Sequence, residues 1–279
     1  MSTRRALLIP LLALSLAACS SGAAVTPSAA PSTAPSAVPS TAARVELQLY
    51  AAASLKAVLA RVRTAYEAAS PGLRITVSTD SSAALETKIE QGAPADVFLS
   101  ADIANPQKLA DRGLAAGIVT KFAGNLLTII VPAANPAGIR NPSDLAVGGV
   151  KIIACAEGVP IQKYTATLLD NLAKVSGYPA DFAARVNANV VSKEDNAGAI
   201  VAKVGLGEGD AGIVYVTDAK SSDKVTTVAI PDGANVPATY GAVVVKASAN
   251  KAAATAFVSW LEGADGQAVL ATFGFRPAS

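Results

Sequence analysis

The sequence predicts an α/β protein built as two lobes, each a mostly parallel sheet flanked by helices. Three observations carry this expectation. From Arg44 onward, short apolar runs of strand period alternate with longer stretches of helical period. Two such α/β sections follow one another, and a last strand and helix return after the second, so both chain ends belong to the first lobe. The stretch from Arg44 to the end, about 235 residues, is long enough for two modest cores. The expected division places residues 44–124 and 240–279 in lobe 1 and residues 125–239 in lobe 2.

The elements read in order as follows. Val45 to Tyr50 is a strand, apolar at 45, 47 and 49. Leu55 to Tyr66 is a helix, with apolar positions 55, 58, 59, 62 and 66 on one face. Pro71-Gly72 ends that helix. Arg74–Ser78 is a second strand, and residues 83–91 form a second helix. Val97–Leu99 is a short buried strand, and Pro106 to Arg112 a helix stopped by Gly113. Asn125 to Val131 is a near-continuous apolar strand ended by Pro132. Beyond it lie strand 150–154, a helix over 164–175, strand 190–191, a helix over 196–204 and strand 211–216. Strand 240–245, a helix over 252–262 and the closing Phe273-Gly274-Phe275 complete the chain. In open sheets of this kind ligands sit beyond the carboxyl ends of the strands, where helices begin.

The N-terminal segment is of another kind. Arg4-Arg5 precedes a mostly apolar run from Ala6 to Ala18, too short to span a bilayer and shaped as an export signal over residues 1–18. Leu16-Ala-Ala-Cys19 fits a lipobox, in which Cys19 is acylated and becomes the new N-terminus. Residues 19–43 hold that cysteine and a Ser/Ala/Thr/Pro tract in which Pro-Ser recurs at 27, 31, 35 and 39. Such a tract cannot bury enough apolar surface to fold, and it reads as a disordered leash. The protein is therefore expected to be exported and lipid-anchored, at the outer face of the cytoplasmic membrane or in a periplasm.

Composition narrows the chemistry. The formal net charge is +2 and charged residues make up 16% of the chain, which argues against nucleic acid as a partner. Histidine is absent. That removes Ser-His-Asp and Cys-His nucleophiles and imidazole metal sites, and no cofactor is expected. Apart from Cys19 the one thiol is Cys155, read as a small apolar filler of a strand. Gly207-Glu-Gly209-Asp-Ala-Gly212 satisfies a dinucleotide-binding pattern, but it precedes a strand where that chemistry needs a strand before it and a helix after it. It is rejected.

The candidate functional residues lie where strands hand over to helices. Ser54, in Ala51-Ala-Ala-Ser54-Leu-Lys56, is placed at a helix N-cap, beside outward-pointing amides and the positive end of a helix dipole. Asp80-Ser81-Ser82 opens the second helix and is followed by Gly92-Ala-Pro-Ala-Asp96 and Asp102. Glu157-Gly-Val-Pro160-Ile161, Glu194-Asp195-Asn196-Ala197-Gly198 and the strand ending at Tyr215 complete the set. These segments, in this order, resemble the molybdate-binding proteins of ABC transporters. The resemblance covers Val45 to Arg276 and implies the two-lobed periplasmic-binding-protein fold, type II, with the ligand in the cleft.

By that resemblance the oxyanion is held by the hydroxyls of Ser54 and Ser82, the backbone N–H groups of Ile161 and Ala197, and the phenol of Tyr215. Two departures stand out. Ile161-Gln162 replaces a common Ala-Gly, and Ala197-Gly198 replaces Val-Arg. Asn196 is read as the N-cap of its helix. Asp80 is expected to point away from the anion and cap its own helix. Asp96 and Asp102 are expected to bind amides or hold the strand-to-helix turn, and Lys56 to be solvated.

The implied function is capture of molybdate, with tungstate, by a monomeric protein that delivers it to an ABC permease. The alternatives are a protein for another small oxyanion such as sulfate or thiosulfate, a Ser-Lys hydrolase using Ser54 and Lys56, and a lipid-anchored adhesion module.

Overall fold

The computed structural model describes residues 44–278; the export signal, Cys19 and the leash expected over residues 1–43 lie outside them. The first section runs β1 (Val45–Ala52), α1 (Lys56–Ala69), β2 (Leu73–Asp80), α2 (Ser82–Glu90), β3 (Val97–Ser100), α3 (Ala104–Asp111) and β4 (Thr120–Asn125). The second comprises β5 (Leu127–Pro132), β6 (Ile152–Cys155), α4 (Pro160–Leu172), α5 (Phe182–Ala188) and β7 (Val190–Glu194). It continues with α6 (Ala197–Gly205), β8 (Ala211–Tyr215), α7 (Val216–Ala219) and β9 (Val225–Val228). The chain closes with β10 (Ala238–Val244), α8 (Lys251–Glu262) and α9 (Ala264–Thr272).

Two five-stranded sheets result, in the orders β2-β1-β3-β10-β4 and β7-β6-β8-β5-β9. In the first, β2, β1, β3 and β4 point one way and β10 runs against them. In the second, β7, β6, β8 and β9 share a direction and β5 is reversed. The reversed strand is in each case the first that the chain lays down on crossing from the other sheet. The two orders superpose position for position, so β1 corresponds to β6, β2 to β7 and β3 to β8. The junction after each strand thus has a counterpart in the other lobe.

Local sequence explains these elements. In β1, Leu47 and Leu49 are fully buried while Glu46 is exposed and Gln48 and Tyr50 are half-covered, and eight registered pairs lock the strand to β2. β3 is Val-Phe-Leu-Ser, buried at all four positions, as a strand with neighbours on both sides and helices on both faces must be. α1 buries Val58, Leu59, Val62 and Tyr66. The Tyr66 ring meets Phe257 and Trp260 of α8, each at 5.1 Å between centroids, which fastens the returning chain to the first sheet. Asp96 accepts hydrogen bonds from Gln48 N (2.7 Å) and Ser248 Oγ (2.5 Å), and so clasps β1, β3 and the loop after β10. Asp102 accepts from Ser100 Oγ (2.8 Å) and Asn105 N (3.1 Å), holding the turn into α3.

Some elements differ from the sequence reading. Asn125 does not begin the strand Leu127–Pro132; it ends β4, and its side-chain Oδ1 takes the Leu126 N–H at 2.9 Å, which breaks the ladder there. The short elements α5, α7 and β9 and the separate helix α9 were also not anticipated.

Gly212, in the middle of β8, shows why α6 can lie so close to the second sheet. A Cβ built there would come within 2.4 Å of Ile200 Cγ2 and 3.1 Å of Ile153 O. Gly212→Ala should therefore push α6 off the sheet. Overpacking of this kind costs about 1–3 kcal/mol, which corresponds to roughly 2–12 °C in Tm for a domain of this size. Thermal unfolding of the variant checks it; an unchanged midpoint would mean that α6 has slack in its packing.

Candidate functional site

Four β-to-α junctions meet between the sheets. They follow β1 and β2 in the first lobe and the corresponding β6 and β7 in the second. Ser54, Ser82, Ile161, Ala197 and Tyr215 all line one cavity there, walled otherwise by Ala52, Ala53, Ser81, Ala101, Val159, Pro160 and Asn196. Its volume is about 20 Å³, on a measure by which a single water needs roughly 10–15 Å³. The cavity therefore suits one compact ligand rather than an extended organic molecule. Ala53, Ser54 and Asn196 also border a larger cleft cavity of about 700 Å³, where Lys56 and Asp218 lie.

Each polar group arrives by a different route. Ser82 is the first residue of α2, and its Oγ accepts the Ala101 N–H at 3.0 Å, leaving the hydroxyl proton free to donate. Ser81, not Asp80, is the N-cap of that helix, accepting Ala84 N–H at 3.2 Å. Asp80 instead accepts Ser81 N–H and pairs with Lys88 Nζ at 2.8 Å. A short hydroxyl fits the cap geometry, and the longer carboxylate reaches a cation two turns along the same helix.

Ser54 is not a cap either. It sits inside a single 3-10 turn, Ala53–Leu55, that precedes α1, buried, with its Oγ 2.9 Å from Tyr240 Oη.

Two of the donors in the second lobe are backbone groups. Val159 is the N-cap of α4, Pro160 takes the first position and Ile161 the second, where an N–H has no acceptor within its own helix. Asn196 caps α6, accepting Ala199 N–H at 3.0 Å, and Ala197 N–H leads the helix without an intrahelical partner. The departures at 161–162 and 197–198 separate in space. Ile161 and Ala197 wall the cavity, whereas Gln162 faces a separate pocket of about 250 Å³ beside Cys155. Gly198 faces the larger cleft.

Tyr215 ends β8, is 2% exposed, and its Oη has no hydrogen-bond partner among the described residues. Leaving such a group unmet costs about 1–3 kcal/mol. Burial pushes the phenol well above its usual range, helped by the neighbouring Tyr240 and Tyr164, so it keeps its proton. Its proton is thus available as a donor toward the cavity that it lines.

Among the described residues no charged side chain lines the cavity. Lys56 is exposed on the first turn of α1. Positive potential comes instead from the N-terminal ends of α2, α4 and α6. The arrangement offers hydrogen-bond donors on all sides and fits a small species that only accepts, a fully deprotonated oxyanion.

Residues 47–276 match the family model described as bacterial extracellular solute-binding protein. The chain belongs to this family. Among curated relatives, the molybdate-binding protein ModA of Mycobacterium tuberculosis is 36% identical over 228 residues, covering 81% of this chain and 83% of that protein. The putative ABC transporter substrate-binding lipoprotein YvgL of Bacillus subtilis is 30% identical, covering 83% and 86% respectively.

Solved structures agree on the architecture. The substrate-binding domain of a putative molybdenum ABC transporter from Clostridium difficile superposes with a TM-score of 0.64 at 30% identity, covering 84% of this chain and all of that one. The sulfate-binding protein SubI of Mycobacterium tuberculosis has a TM-score of 0.75 at 24% identity, covering 84% and 87%, and shares the fold.

One carboxylate of this solute-binding protein stands out beside the site. Asp218, in the first turn of α7, is buried and accepts Tyr215 N–H at 3.3 Å. Burial pushes its carboxyl up to about 7, against the pull of that one hydrogen bond. Tyr240, Tyr215 and Cys155 face it, and the Cys155 thiol is itself pushed up to about 12, first by burial and then by this carboxyl. A carboxyl raised above its unfolded value supports the fold fully at low pH and loses that support as pH climbs through its folded value. Glu86, raised to about 7 by burial and by its hydrogen bond with Glu90, acts in the same direction. The Tm is therefore expected to fall between about pH 5 and about pH 8, and Asp218→Asn to flatten that fall. Melting curves across the range decide; a variant with the wild-type slope would show that Asp218 titrates elsewhere.

Proposed function

We propose that this protein captures molybdate, and tungstate with it, and delivers the anion to the permease of an ABC transporter, tethered to the membrane through Cys19. On this reading residues 44–124 and 240–279 act as one lobe, residues 125–239 as the other, and the anion is held between them. The observation that carries it is the ring of neutral donors from both lobes. Ser54, Ser82, Ile161 N–H, Ala197 N–H and Tyr215 border one small cavity without a formal charge.

Molybdate and tungstate are tetrahedral dianions that only accept hydrogen bonds, so every group in such a site should donate. Phosphate at neutral pH keeps a proton that would find no acceptor. Sulfate is smaller and cannot reach every donor at once, and each buried donor left unmet costs about 1–3 kcal/mol. The names of the relatives from Mycobacterium tuberculosis and Clostridium difficile support the ligand, and that of the Bacillus subtilis relative supports the lipid anchor. Hinge closure of the two lobes over the ligand gives the permease a loaded form to recognise.

The role is capture rather than catalysis. Lys56 is exposed and does not line the small cavity, and Ser54 Oγ lies 2.9 Å from Tyr240 Oη, which supports capture over a Ser-Lys hydrolase.

The test is thermal unfolding of the purified, ligand-free protein with molybdate, tungstate, sulfate and phosphate in turn. At about a thousand-fold over Kd, binding stabilises by roughly 4 kcal/mol, or roughly 8–16 °C for a domain of this size. Molybdate and tungstate should give that shift, and sulfate and phosphate should not. Tyr215→Phe, which removes the unmet phenol, should melt at or above the wild type without ligand and gain less from molybdate. A shift with sulfate alone would reassign the ligand, and no shift with any anion would end the oxyanion reading.

A further inference from the structure

Ser54 is the one donor of this site whose hydroxyl is held by another side chain, and that side chain belongs to a buried relay. Tyr240, on β10, lies 2.9 Å from Ser54 Oγ through its Oη. Asn125, at the end of β4, lies 3.3 Å from the same Oη through Nδ2, and 2.8 Å from Thr217 Oγ1 of α7. The orientation of the Asn125 amide is fixed from behind, because its Oδ1 accepts the Leu126 N–H at 2.9 Å. An amide nitrogen only donates. Tyr240 Oη therefore receives a hydrogen from Asn125, and among the described residues the phenol proton has Ser54 Oγ as its acceptor. Ser54 thus accepts from Tyr240, and its own proton is turned to the cavity.

We propose that Tyr240 is a positioning residue of the anion site, which fixes Ser54 as a donor toward the ligand. The proposal rests on the oxyanion reading given above and extends it to a residue that does not touch the ligand. The relay has a fixed direction, from Leu126 N–H through Asn125 and Tyr240 to Ser54. It begins where the chain crosses from the first sheet to the second, passes through Tyr240 on the strand where the chain returns, and ends at Ser54 in the turn after β1. Its branch runs from Asn125, at the end of β4 in the first sheet, to Thr217 of α7, which follows β8 of the second sheet. Burial holds the Tyr240 phenol well above its usual range, so the proton it needs is present at neutral pH. Ser82 needs no such partner, because a backbone amide, Ala101 N–H, sets its polarity. Ser54 is the donor that one substitution can unlock.

Tyr240→Phe removes the Oη and keeps the ring, whose edge contacts with Phe122 and Phe275 are at 6.1 and 5.5 Å, so the variant should fold. The experiment is a double-mutant cycle by calorimetric titration of molybdate into wild type, Tyr240→Phe, Ser54→Ala and the double variant, with a melting curve for each. Tyr240→Phe should weaken molybdate roughly tenfold in the wild-type background, the scale of one lost hydrogen bond. In the Ser54→Ala background it should change affinity by less than about twofold, because the group it acts through is gone. Equal losses in both backgrounds would mean that Tyr240 acts on the fold as a whole, and no loss in either would mean that Ser54 orients itself. Both results overturn this inference while leaving the oxyanion reading intact. A wild-type protein that binds no molybdate would overturn both.

Discussion

The first amide groups of a helix have no acceptor within the helix, and this fold gathers such groups at one point. Ile161 and Ala197 each stand at the start of a helix that follows a parallel strand, and the two strands are neighbours in one sheet. The equivalent junctions of the other sheet bring Ser54 and Ser82 to face them. Much of the packing serves this convergence. Gly212 lets α6 settle against β8 so that its first amide reaches the cavity, and Pro160 starts α4 without adding another unmet donor. Small residues, Ala52, Ala53 and Ala101, keep the walls close.

Charge is managed by placement. Asp80, Asp96 and Asp102 stand near the site in sequence, yet they are engaged elsewhere: Asp80 with Lys88, Asp96 with Gln48 N and Ser248, and Asp102 with Ser100 and Asn105. Burial alone would raise the Asp80 carboxyl, but the hydrogen bonds from Lys88 and Ser81 N–H and the Lys88 charge together outweigh it and lower the carboxyl, so it remains an anion facing its own cation. Asp218 is the exception, buried against the strand that carries Tyr215 and kept closer to neutrality by that burial. A dianion held by dipoles and hydroxyls alone can be released without breaking an ion pair, which suits a protein that must pass its cargo on.

Strands and helices with strong local periodicity were legible in the sequence. β1, α1 and β3 declare themselves in the apolar spacing of Leu47, Leu49, Val58, Val62 and the Val-Phe-Leu run. The elements that escaped are stabilised by distant partners. β4 carries a glycine and little alternation, and it is a strand because β10 and Arg276 pair with it. α9 contains Gly266, which reads as a breaker. In the fold a Cβ there would meet Trp260 O at 2.5 Å, so the glycine is what allows the sharp α8–α9 junction. The positions of the candidate donors were readable because junction motifs are local. The relay through Asn125 and Tyr240 was not, since its members lie 186 and 115 residues from their partners and only the fold brings them together.

The most direct test of the account is a crystal structure of the protein grown with tungstate, with the tungsten located by its anomalous scattering. The account predicts one strong peak in the small cavity, its oxygens about 2.7–3.0 Å from Ser54 Oγ, Ser82 Oγ, Ile161 N, Ala197 N and Tyr215 Oη. A peak held by lysine or arginine side chains elsewhere, or a bound anion that leaves Tyr215 Oη without a partner, would contradict it.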